Sequence, residues 1–185
     1  MSMPAANYYT ADMVRDLMDP SRPWPRYETV YGELLVSPAP RLWHQEIVAR
    51  LLVELRAYCA RVGVGHALAS PSMISWGQDT LVQPDVFVIP MEQARTLQWT
   101  EVSVVLLAAE VLSPSSLRTD RFTKRRLYQD RGMPVYWVVD PDAHLVEVWT
   151  PAMQFPLLET ERLEWLPAGA GDAMQLDLAS LFRPV

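Results

Sequence analysis

An α/β fold, with a core ordered helix, three strands, helix, strand, is what this 185-residue chain predicts, and three patterns carry the expectation. From Leu42 to Val62 apolar residues recur at four- and three-residue spacing (Ile47, Leu51, Leu55, Tyr58), the mark of an amphipathic helix. Three strand-length runs follow, His66–Trp76, Leu81–Ile89 and Val102–Leu112. A charged helical stretch, Ser116–Arg131, then separates them from a fourth apolar strand at Val135–Val139.

Taken in order, Thr10 is placed to cap a short helix, Ala11–Met18, which must stop before Pro20. Beyond the Pro-rich stretch 20–25, residues 27–36 read as a strand or hairpin containing Gly32. Pro38 and Pro40 turn the chain into the long helix. Pro71 breaks the first of the three strand runs. Pro84, which cannot donate to a ladder, marks a strand start, an edge or a bulge in the second. Gly132 supplies a C-terminal cap for the charged helix. Asp140–Asp142 is a turn, with Leu145–Trp149 returning as a hairpin partner. Weaker strands at Phe155–Leu158 and Arg162–Trp165 precede a short apolar ending. No repeat, low-complexity tract or domain boundary stands out, so the expectation is one domain over residues 1–185 with its core at about 27–150.

Composition narrows the class. With 50% hydrophobic and 21% charged residues the chain can bury a globular core. The single cysteine, Cys59, excludes an internal disulfide framework and suits a reducing compartment. No basic segment followed by an apolar core opens the chain, and the longest apolar run is too short to span a bilayer. A cytoplasmic protein without a membrane partner is expected. The net charge of -6 argues against a polyanionic ligand, but its distribution is uneven. Between Leu117 and Arg131, six basic residues face Asp120 and Asp130, a local +4 that leaves -10 on the rest. Such a helix can steer nucleic acid to one face through Arg118, Arg121 and Arg125, or it can be an ordinary solvated face.

Lys124 is the only lysine beside fifteen arginines. Arginine spreads a permanent charge over a planar fork, whereas lysine is a compact ammonium that meets one oxygen end-on. A lone lysine in an arginine-rich chain therefore marks a position where a fork would not serve, or is an accident of composition. Strand alternation places Gln83, Asp85, Phe87 and Ile89 on one face and Glu110 with Leu112 on one face of the next strand. A carboxylate ending the run Val-Val-Leu-Leu-Ala-Ala is costly to bury without a partner. If those strands are neighbours, Asp85 and Glu110 repel, and a divalent cation relieves the repulsion. Mg²⁺, or Mn²⁺ in its place, takes one or two carboxylates, waters and substrate oxygens rather than a closed cage. On the helix, Asp120, Lys124 and Tyr128 form an i, i+4, i+8 stripe that can bring the ammonium to that site, although an Asp120–Lys124 surface pair accounts for the spacing too.

The blocks Gln83-Pro-Asp85, Glu110-Val-Leu-Ser-Pro-Ser115, the stripe Asp120, Lys124, Tyr128, and Gly132-Met-Pro-Val-Tyr-Trp-Val-Val-Asp-Pro141 carry a likeness to a known family. The chain resembles the Uma-type putative restriction endonuclease family, within the PD-(D/E)XK nuclease superfamily, from about Gly32 to Trp149. The resemblance implies a restriction endonuclease-like core: a mixed central sheet flanked by helices with extra hairpins. It implies Asp85 and Glu110 as metal ligands with the Val111 carbonyl. The superfamily pattern sets a lysine two residues after the acid, where this chain has Leu112; the family is similar in moving that lysine to the next helix, which selects Lys124. Glu33 and His44 fall where the family has recurrent Glu and His, as an outer ligand and a phosphate or water contact.

The function so implied is Mg²⁺-dependent hydrolysis of phosphodiester bonds, with double-stranded DNA as substrate and a homodimer supplying two sites. Two other classes stay open from the sequence. One is a nucleic-acid-binding or regulatory module that keeps the nuclease fold without cleaving. The other is a structural α/β protein whose acids form core ion pairs.

Overall fold

The computed structural model describes residues 7–185. In chain order the elements are α1 (Ala11–Leu17), β1 (Arg26–Val30), β2 (Glu33–Ser37), α2 (Leu42–Val62), β3 (Gly65–Ala69), β4 (Ile74–Ser75), β5 (Leu81–Val82) and β6 (Val86–Pro90). Next come α3 (Met91–Ala94), β7 (Leu107–Val111), a π turn (Thr119–Lys124) running into α4 (Arg125–Asp130), β8 (Tyr136–Asp140) and β9 (Leu145–Trp149). The chain ends with β10 (Leu157–Glu159), β11 (Arg162–Trp165), β12 (Met174–Asp177) and α5 (Leu178–Leu181). These elements group into two compact units.

The smaller unit comprises residues up to Pro40 together with Pro71–Gln83. Its sheet runs β2-β1-β5-β4. Thr10 caps α1 as the sequence suggests, its hydroxyl accepting from the Met13 N–H. The β1–β2 hairpin turns at Tyr31 (φ 53°) and Gly32 (φ 81°). Two successive left-handed residues are what a two-residue hairpin of this twist requires, and glycine takes the second without a Cβ clash.

The larger unit, Arg41–Ser70 with Pro84–Val185, holds a six-stranded sheet in the order β10-β9-β8-β7-β6-β3. The β7–β8 pair is parallel and its other pairs are antiparallel, so the sheet is mixed. One sheet face is covered by α2. Ile47, Leu51, Leu55 and Tyr58, the residues whose spacing announced the helix, are buried against Val86, Val88, Leu107, Ala109, Val111 and Trp137. The alternate residues Glu110 and Tyr136 point to the opposite face, where the π turn and α4 lie. Beyond the sheet, β11 and β12 pair with each other and bring Leu163, Trp165, Met174 and Leu176 into the α2 core.

Several boundaries differ from the sequence reading. The run Leu81–Ile89 is two strands in two units, β5 and β6, parted at Gln83-Pro84-Asp85. Proline has no N–H to continue a ladder, so the chain changes sheets there. The run His66–Trp76 likewise divides at Pro71 into β3 and β4. The third run starts late: residues 99–101 form a 3-10 turn, and pairing begins only at Leu107. β12 lies in what read as a featureless apolar ending. Gly132 does follow the charged helix in the left-handed conformation (φ 65°) that ends it.

Candidate active site

β6 and β7 are antiparallel neighbours with Val86 opposite Ala109 and Phe87 opposite Ala108. Continuing that register by one residue sets Asp85 opposite Glu110. Asp85 is thus not inside a strand, as alternation suggested, but in the bend just before β6. At that bend the β7 ladder passes from backbone to side chain: the Val111 N–H donates to Asp85 Oδ2 at 3.0 Å. His44, in the first turn of α2, places Nε2 3.1 Å from the same oxygen. Its Nδ1 is buried and makes no hydrogen bond.

Glu110 meets the helix on the other side of the sheet. Lys124 Nζ donates to Glu110 Oε1 at 3.0 Å, and the Tyr128 hydroxyl donates to the same oxygen at 3.1 Å. Asp120 Oδ1 lies 3.7 Å from Nζ. Asp85, Glu110, Asp120 and Lys124 are each at most 5% exposed. Four ionisable groups at such depth are tolerable only as a mutually paired set, because an isolated buried charge loses its hydration without return. A further sign of crowding is Tyr136, whose hydroxyl is pushed well above its ordinary pKa, first by burial and then by the negative field of Asp120, Glu110, Asp85 and Glu147.

The basic helix has a different character from the one its charge suggested. Arg121 donates through Nε to Glu147 at 2.6 Å and through a terminal nitrogen to Asp140 at 2.7 Å. Burial alone would lower its pKa, but the hydrogen bonds it donates to Glu147 and Asp140 outweigh that and raise it. Arg125 lies 4.8 Å over the Trp149 ring and donates to Gln129 Oε1 and the Arg121 carbonyl. Arg118 is exposed at the start of the helix. Of the other sequence candidates, Gln83 and Glu33 belong to the smaller unit. There the Gln83 N–H donates to buried Glu28, its amide donates to the Tyr27 carbonyl, and Glu33 opens β2 exposed.

The donor set can be weighed for a metal. Two carboxylates set opposite each other on adjacent strands destabilise the pair unless a cation intervenes. Their hard oxygens suit Mg²⁺ better than a soft metal. Among the described residues no group of three or more His, Cys, Asp or Glu converges as a closed cage.

Sequence reading brought Asp85, Glu110, Asp120, Lys124, Tyr128 and His44 forward; Glu110 and Asp120 gather around Lys124, with Tyr128 on Glu110, while His44 pairs with Asp85. It passed over Tyr136, Asp140 and Glu147. Glu147 had a signal, an acid alternating with Leu145 and Trp149 on an apolar strand. The π turn had none.

A profile of the family described as "Uma2: Putative restriction endonuclease" matches residues 12–178. Among solved structures, one described as a putative nuclease belonging to DUF820, from Anabaena variabilis ATCC 29413, superposes with a TM-score of 0.76 at 20% identity. The match covers 94% of this chain and 97% of that one, and at this identity it speaks for the fold. No curated protein matches.

Proposed function

The chain belongs to the Uma2 family of putative restriction endonucleases, and from that premise we propose that it is a metal-dependent endonuclease hydrolysing phosphodiester bonds of DNA. The observation that carries this reading is the burial of Asp85 and Glu110, each one residue past the Val86–Ala109 pair, with the only lysine of the chain donating to Glu110. Asp85, Glu110 and the Val111 carbonyl would hold Mg²⁺, with Mn²⁺ as the alternative. A bound ion of this kind neutralises the scissile phosphate and lowers the pKa of water.

The chain's own groups have separable tasks. The Val111 N–H and His44 hold the Asp85 carboxylate in one orientation. Lys124 and Tyr128 do the same for Glu110 from the other side. Lys124 also brings a compact positive charge to where a non-bridging phosphate oxygen becomes more negative during in-line attack. Its ammonium can align the attacking water by donating to it. Cutting both strands of a duplex calls for two such sites, hence a homodimer.

The test is purified protein on supercoiled plasmid with Mg²⁺, Mn²⁺ or EDTA. Nicking is expected with either ion and lost in EDTA. Both ions should also raise the Tm by mass action, and Asp85→Asn or Glu110→Gln should abolish the rise. Metal stabilisation that persists in both variants would remove the site. Stabilisation without nicking would leave a non-cleaving nucleic-acid-binding protein.

A further inference from the structure

We infer that Tyr136 is a positioning residue, which holds the turn Thr119–Lys124 open in its π form and so fixes where Lys124 reaches. The inference rests on the reading of Lys124 as part of the reactive site, but its structural half stands on geometry alone.

In an α-helix the carbonyl of Asp120 accepts from the N–H four residues on, which is that of Lys124. Here the N–H that donates to Asp120 is that of Arg125, five residues on. One residue too many is accommodated in the turn, and the turn ends on Lys124. π turns are rare and energetically inferior to the α form, so something outside the helix must favour this one. The Tyr136 hydroxyl, projecting from β8, donates to the same Asp120 carbonyl at 3.0 Å. Asp120 therefore accepts a second hydrogen bond, from a rigid strand in the sheet core.

The ring does a second job. Tyr136 packs against Tyr128 at 4.7 Å between centroids, and Tyr128 donates to the oxygen of Glu110 that Lys124 also meets. One side chain thus touches the helix at Asp120 before Lys124 and at Tyr128 after it. Both contacts come from β8, whose parallel neighbour β7 carries Glu110. Lys124 and its acceptor are thereby referred to the same pair of strands. Burial first, and then the neighbouring carboxylates, push the phenol well above its ordinary pKa, which favours the protonated, donating form.

Because Lys124 is the only lysine, an amine-acylating reagent reports on it with the chain's α-amine as the sole competitor. The experiment exposes metal-free wild type, Tyr136→Phe and Leu55→Ala to the reagent and reads the Lys124 peptide by mass spectrometry. Leu55 is a fully buried α2 core residue that touches neither Tyr136 nor Lys124 in the hydrogen-bond network, so its variant reports general loosening. Wild type and Leu55→Ala should keep Lys124 protected well below their Tm. Tyr136→Phe, which keeps the ring and loses the hydroxyl, should label at least about tenfold faster. Equal protection in Tyr136→Phe and wild type overturns the inference, as does equal loss in Leu55→Ala.

Amide exchange on the wild type gives a measurement that needs no variant. The Arg125 N–H should exchange as slowly as the sheet amides, and exchange at the rate of an exposed loop overturns the inference. Neither readout requires substrate or metal. A protein that fails to nick plasmid but shows these protections would contradict the nuclease reading and leave the role of Tyr136 standing.

Discussion

Lys124 has a side chain only 4% exposed, 3.0 Å from Glu110 and 3.7 Å from Asp120. A plain positive charge in this chain is always an arginine, and at this depth the difference between the two cations matters. Guanidinium is broad and planar and seeks two acceptors in one plane; the ammonium needs one oxygen end-on. Lys124→Arg should therefore leave the metal-induced rise in Tm nearly unchanged, since Asp85 and Glu110 remain. It should lower plasmid cleavage by roughly tenfold or more, about 1.4 kcal/mol of transition-state stabilisation. Lys124→Met, close in length but neutral, should lose more, because it also leaves Glu110 and Asp120 without their cation. Wild-type cleavage by the arginine variant would make the lone lysine an accident of composition.

At the scale of elements, the helix after β7 is joined to three strands: through Glu110 on β7, Tyr136 and Asp140 on β8, and Glu147 on β9. Arg121 makes the two outer links, and Asp140 also accepts from the N–H groups of Asp142 and Ala143. Burial would raise the Asp140 pKa, but the Ala143 N–H and Arg121 bring it below its ordinary value. A depressed carboxylate contributes its stability in full above about pH 4 and loses it as pH falls through the lower folded value. Arg121→Ala should cost about 2 kcal/mol at pH 7, less than a wholly buried pair because Arg121 is 30% exposed. The gap from wild type in urea midpoint should narrow as pH falls below the ordinary carboxylate range and Asp140 gains a proton; a gap independent of pH would exclude Asp140 as the partner that matters. These links also explain what was legible beforehand. Amphipathic spacing exposed α2, and apolar runs exposed β6 to β9, because local pattern and burial agree there. The break at Pro84 was visible as a proline but not as a change of sheet, since no local residue says which partner a strand will find. The π turn depends on Tyr136, sixteen residues away, and spacing within the helix carries no trace of it.

For the whole molecule the question is how a chain of net charge -6 would approach a polyanion. The local +4 of the helix overstates its outward field. Arg121 is committed to Asp140 and Glu147, Lys124 to Glu110 and Asp120, and Arg126 lies 3.6 Å from Asp130. Arg118 is the exposed member of the three arginines assigned to nucleic acid, so Arg118→Ala should weaken binding without loss of Tm, unlike Arg121→Ala. On the proposed reading, a divalent ion at Asp85 and Glu110 would supply part of the attraction. Binding of a labelled duplex, measured by fluorescence anisotropy in Ca²⁺ across a KCl series, should then show a shallow salt dependence. A slope of about -2 to -3 is expected, where a protein with six to ten phosphate contacts gives roughly -5 to -9. EDTA should weaken binding more than a fourfold rise in KCl does. A steep slope with affinity unchanged in EDTA would mean that the polyanion is held by a basic surface elsewhere, and that the paired acids are not what brings it to the site.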